Sequence, residues 1–204
     1  SGRYSVQSMY KLLVEGSSNS STVSKRIWVK HVPPRVQFFG WLAWNGKLKT
    51  SKFLTRIGVL HANAPSVCCL CKSGVESLNH VLLSCQVAWS VWSAILKWWD
   101  VQGALPNSVE AVLDWWAGVR FKKNVRLMWK ALPLVVMWTL WNHRNECLFR
   151  DVTPSGEGVS DLIKVRMAVW FKEVFKDSRF SVHDFIFNLE HIRFCLGSGS
   201  RGVS

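Results

Sequence analysis

Apolar residues recur at helical spacing through most of the chain, and no alternating run is long enough to build a large sheet. "SVQSMYKLLVEG" sets Val6, Met9, Tyr10, Leu13 and Val14 along one helix that Gly16 ends, and the polar linker Ser17 to Thr22 follows. "PPRVQFFGWLAWNGKL" opens on prolines suited to a first turn, then brings Val36, Phe39, Trp41 and Trp44. "KTSKFLTRIG" predicts a short helix with Thr50 or Ser51 as cap and Gly58 as stop. "QVAWSVWSAILKWWD" is a strongly apolar helix, and "NSVEAVLDWWAG" is a second one with Asn107 or Ser108 as cap. The stretch from Asn124 to Phe149 is apolar nearly all round at its middle, so it predicts a buried helix that Pro133 kinks or restarts. "VSDLIKVRMAVWFKEVFKD" predicts an amphipathic helix facing inward with Leu162, Val165, Val169 and Phe171. "SVHDFIFNLEHIRFCL" reads as a last short helix or strand.

This pattern predicts a mainly α protein: a compact helical domain over 1–100, a helical extension over 101–195 and a disordered tail over 196–204. A hydrophobic content of 49% with 19% charged residues excludes a disordered chain. The 13 tryptophans predict a core built around indoles, because their neighbours are apolar and their spacing is helical. The longest apolar run, Ala131 to Trp141, is shorter than the roughly 18–20 residues of a membrane span, which predicts no membrane partner. The polar beginning predicts no secretory leader, an intracellular protein of nucleus or cytoplasm, and reduced cysteines.

Charge narrows the partner class. The net charge is +13, and no carboxylate occurs between Glu15 and Glu76. Within that gap lie Lys25, Arg26, Lys30, Arg35, Lys47, Lys49, Lys52, Arg56 and Lys72. Clustered Lys and Arg displace counterions from nucleic-acid phosphate, so the first eight are candidate contacts to RNA or DNA. A solvated basic face is the plain alternative.

"CCLCKSGVESLNHVLLSC" carries the strongest chemical signal. Cys68, Cys71, His80 and Cys85 stand as C-x2-C-x8-H-x4-C, a Cys3His set suited to tetrahedral zinc. Cys69 competes with Cys68 for the first position, although C-x2-C is the more usual geometry. Ser77 is placed to cap a short helix with His80 in its first turn. On an ideal helix His80 and Cys85 would stand about 140° apart at ~100° per residue, so the helix has to end or change before Cys85. Four protein ligands close the coordination sphere, which makes one structural Zn2+ the expected cofactor. Cys147 and Cys195 lie among apolar neighbours and read as core.

Several blocks in order resemble the zinc-binding domain of plant LINE-type (non-LTR) retrotransposon reverse transcriptases. They are "SGRYSVQSMYKLL", "IWVKHVPPRVQFFGWLAWNGKLKTSKFLTRIGV", "CCLCKSGVESLNHVLLSCQVAWSVW" and "VMWTLWNHRNECLF". Departures are small: Val81 and Leu82 stand where Leu and Phe are common, a Lys follows Leu48, and Cys69 replaces the usual Pro. The resemblance implies metal ligands at Cys68, Cys71, His80 and Cys85, and a non-catalytic accessory role. It also implies nucleic acid and the reverse transcriptase polypeptide as partners, with no small-molecule substrate.

Catalytic chemistry finds no expected home. No Asp-Asp pair of a polymerase occurs, and Asp151, Glu157, Asp161 and Glu173 are scattered over surface-like segments, not converging as a ribonuclease H site would need. No nucleophile elbow or phosphate-cradling glycine loop is present. Arg144 and Asn145 in "WNHRNECLF" read either as nucleic-acid contacts or as a helix surface in which Arg144 caps or pairs with nearby backbone. The rival readings for the whole are a protein-interaction module docking through Trp-rich helices, or a retroelement remnant without function.

Overall fold

The computed structural model describes residues 25–175 and 180–198. The helix expected around Val6 to Val14, its linker and residues 199–204 lie outside that range; residues 196–198 of the expected tail belong to the last helix. The described residues are mainly α-helical, and their β-structure is one antiparallel bridge between Val67 and Val75.

Among the described residues eight helices follow in order from Pro34 onward: α1 Pro34–Trp44, α2 Ser51–Arg56, α3 Gln86–Trp98, α4 Val109–Gly118, α5 Lys123–Phe149, α6 Gly156–Val174, α7 Val182–Phe187 and α8 Leu189–Ser198. A π-helical turn, His80–Ser84, leads into α3. Local chemistry sets the boundaries. Pro34 occupies the first turn of α1. The Thr50, Ser108 and Ser155 hydroxyls each accept the N–H of the residue three further on, starting α2, α4 and α6. Ser181 and Asp184 form a reciprocal capping box at α7. The last apolar stretch is therefore helical, broken into two helices at Asn188.

Helix α5 is the axis of the molecule. It packs against α1, α3, α4, α6, α8 and the π-helical turn, and every residue from Ala131 to Met137 is buried. Pro133 does not restart it: one helix runs from Lys123 to Phe149. A proline lacks the N–H that would bond to the carbonyl four residues back, here Trp129. That carbonyl instead accepts the Trp116 indole N–H at 2.8 Å, and the Trp129 indole N–H returns to the Trp116 carbonyl at 2.9 Å. The two rings stack with centroids 4.1 Å apart, fixing α4 on α5. Trp92 and Trp99 pack edge-on and tilted against this pair. The indole core is thus real, with Trp89 at 53% exposure as an exception.

Two expectations need correction. Helix α6 turns Val159, Ile163, Met167 and Phe171 inward, a strict four-residue stripe, and leaves Leu162, Val165 and Val169 exposed. Two apolar stripes compete on this helix. The one flanked by the small buried residues Ser160 and Ala168 is the one packed against α3 and α5. Cys195 is partly exposed near His191, whereas Cys147 is buried as expected.

Candidate metal centre

The cysteine-rich stretch folds as a small knuckle followed by the π-helical turn. The Cys68 N–H bonds to the Gly74 carbonyl at 3.0 Å, the Lys72 N–H to the Cys68 carbonyl at 2.9 Å and the Glu76 N–H to the Ser66 carbonyl. Two left-handed residues close the knuckle, Lys72 at φ 56° and Gly74 at φ 70°. At Gly74 a Cβ would stand 3.2 Å from the His80 Cε1, so the imidazole lies directly against that glycine.

The π-helical turn settles where His80 points relative to Cys85. The Ser77 hydroxyl accepts the His80 N–H at 3.2 Å, and the Cys85 N–H closes onto the His80 carbonyl at 2.7 Å. A five-residue bond widens the turn, so residues five apart return to the same side. An α-helix would have kept them apart. Trp92 then locks the turn from α3, its indole donating to the Leu82 carbonyl at 2.7 Å.

Cys68, Cys71, His80 and Cys85 consequently converge, their ligand atoms all within 4.8 Å of one another. The Cys68 and Cys85 sulfurs are 4.0 Å apart, and Cys71 Sγ is 3.3 Å from His80 Nε2. Around a tetrahedral zinc with bonds of about 2.3 Å to sulfur and 2.0 Å to nitrogen, the corresponding separations are about 3.8 Å and 3.5 Å. The donor set suits the ion in its chemistry, and these two separations lie close to the tetrahedral values. Cys68 and Cys85 are fully buried and share a hydrogen; this sharing draws the Cys68 thiol down to about 5 and pushes the Cys85 thiol up. Both must be thiolates to hold a metal, so metal uptake releases protons.

Cys69 does not join the cluster. Burial, with the nearby Glu76 charge, pushes its thiol up to about 11, and its Sγ lies 3.6 Å from the Arg144 carbonyl. Arg144 is 4% exposed and pairs with Glu76, which is 1% exposed. Its Nε donates to Glu76 Oε2 at 3.2 Å, its Nη2 donates to Oε1, and Trp141 lies under the guanidinium. Glu76 Oε1 also accepts the Ser51 N–H at 2.9 Å and the Ser51 hydroxyl at 3.1 Å. One carboxylate from the knuckle therefore clamps the start of α2 and the end of α5. Arg144 is neither a surface residue nor a backbone cap. Sequence reading missed this pair because its members stand 68 residues apart. The signal available was that Glu76 interrupts an otherwise carboxylate-free stretch.

The eight basic candidates are distributed over several surfaces. Lys47 and Lys49 border one groove, while Lys52 and Arg56 line another, and Leu48 contributes to both. Lys25 and Arg26 line a separate cleft with Lys130, and Arg26 is ion-paired with Asp114. Arg35 and Arg166 lie over the Trp138 ring, 5.3 and 4.6 Å from its centroid. Lys30 is exposed. The four residues from Lys47 to Arg56 are the group adjoining the knuckle through Glu76.

Residues 4–92 match the model of a family described as zinc-binding in reverse transcriptase, and the Cys3His cluster lies inside that segment. A protein of Arabidopsis thaliana named as a ribonuclease H protein is 28% identical over 157 residues, covering 74% of this chain. The chain spans about a quarter, 24%, of that relative's length. No solved structure matches the chain. Among the described residues no helix is long and apolar enough to cross a membrane.

Proposed function

We propose that this chain is a zinc-stabilised, non-catalytic accessory region of a retroelement reverse transcriptase, and that it holds RNA or DNA through phosphate. The observation that carries the reading is the convergence of Cys68, Cys71, His80 and Cys85 beside a carboxylate-free basic segment. Bound at those four side chains, zinc would supply a crosslink and no open coordination position for catalysis. The chain's own residues would do the rest. Gly74 gives the imidazole room, Trp92 holds the π-helical turn, and Glu76 carries the order of the knuckle into α2. That leaves Lys47, Lys49, Lys52 and Arg56 arrayed around one segment for phosphate contacts that position a strand without reading its sequence.

The direct test is metal content after purification without added zinc, followed by chelator titration read by circular dichroism. One zinc per chain is expected, with helix lost on chelation and the loss reproduced by Cys71→Ser. Absence of metal, together with indifference to chelator, would leave the cysteines as core residues. The nucleic-acid half of the reading is checked by binding at low salt, and failure with both RNA and DNA removes it.

A second reading has one observation in its favour. The exposed stripe of Leu162, Val165 and Val169 on α6 suits docking onto the polymerase polypeptide. Co-purification with that polypeptide, abolished by Val165→Asp, is what this alternative requires.

A further inference from the structure

We propose that the groove between the Lys47–Leu60 segment and the last turns of α5 seats single-stranded nucleic acid, with bases in the groove and phosphates on Lys47 and Lys49. This rests on the nucleic-acid reading above and gives it a substrate class.

The groove encloses about 730 Å³. That lies within the range of about 300–1,000 Å³ typical of ligand sites. Its walls are apolar, with Leu54, Leu60 and Pro65 facing Leu148 and Phe149. Phe149 is 75% exposed and Leu148 43%, although both end a helix that is otherwise well covered. Aromatic faces left open beside cations are the platform on which unstacked bases settle. The floor is rigid, because Trp141, Ser51 and Arg144 belong to the clamp around Glu76.

Charge selects the occupant. Lys47 and Lys49 are exposed while Leu48 between them is buried, so both lysines stand on the outer side of the same wall. No carboxylate lines the groove, and the charge of Arg144 is neutralised from below by Glu76. A cationic rim over an apolar trough complements a phosphate backbone whose bases turn inward. A duplex hides its base faces in the stack and can engage the rim alone.

Fluorescence anisotropy on the full chain with bound zinc tests this. The probes are 15-mers of uridine and of thymidine, the same backbone made abasic, and a 15-base-pair duplex. Single strands with bases are expected to bind at least about tenfold tighter than the abasic strand, and Phe149→Ala is expected to remove about tenfold of that advantage. The abasic strand and the duplex should not respond to Phe149→Ala. Lys47→Gln with Lys49→Gln should weaken every probe and flatten the salt dependence by about 0.7 per lost single-strand phosphate contact. Phe149 is exposed, so its replacement leaves the core intact, and unchanged circular dichroism verifies this. Equal binding of strands with and without bases, unmoved by Phe149→Ala, overturns the groove while leaving the phosphate reading standing. No binding of any probe overturns both.

Discussion

Single residues decide much of the local geometry. Gly74 combines a left-handed φ of 70° with a close approach to His80. Gly74→Ala is expected to cost about 1–2 kcal/mol in backbone strain alone. It should also weaken zinc retention, because the new methyl pushes on the imidazole; competition with a chromophoric chelator measures the second effect and thermal melting the first. Pro133 and Trp116 form another such pairing. Trp116→Phe keeps a ring in the stack but removes the donor to the Trp129 carbonyl, which Pro133 leaves without its helical partner. A buried carbonyl deprived of its donor costs about 1–3 kcal/mol. Urea unfolding of the variant, with its midpoint shift, checks that figure.

At the scale of elements, the clamp of Glu76 is the feature that joins the knuckle, α2 and α5. Removing one partner of a buried ion pair is destabilising by about 3–5 kcal/mol, more than the pair itself is worth. Glu76→Gln and Arg144→Ala are therefore each expected to be severely destabilising, and the double replacement less so than their sum. A double-mutant cycle in urea measures that coupling. This is also the scale at which sequence reading succeeded and failed. Helix positions followed from periodicity and from Thr50, Ser108 and Pro34, which act through neighbours three or four residues away. The metal-binding spacing was equally local. The inward face of α6 was misread, since two apolar stripes on one helix are equivalent until a neighbour packs against one. The widened turn at His80 depends on the Cys85-to-His80 bond and on the Trp92 donor, which reaches it from ten residues on. Arg144 was out of reach because its partner is remote in sequence.

For the molecule as a whole, the segment that matches the zinc-binding family ends at residue 92, yet the knuckle rests on a helix that begins at Lys123. A polypeptide ending at residue 100 would lack Arg144, Trp129 and the buried centre of α5. It is expected to show little stable helix even with zinc, while the full chain folds cooperatively; circular dichroism with stoichiometric zinc distinguishes the two. Charge behaves differently from packing at this scale. The net charge of +13 described a property of the whole chain, but the structure divides its basic residues among separate clefts, an ion pair and cation–π stacks.

The five-residue closure between His80 and Cys85 carries a consequence for how such chains diverge. The intervening Val81, Leu82 and Leu83 are buried and would tolerate exchange for other apolar residues of similar size. Their number is far less negotiable. Inserting or deleting one residue would leave the composition almost untouched, yet it would rotate a thiol out of reach of the imidazole. In this stretch the length of the spacer, more than the identity of its apolar residues, is what a chain using these four side chains for a metal would have to keep.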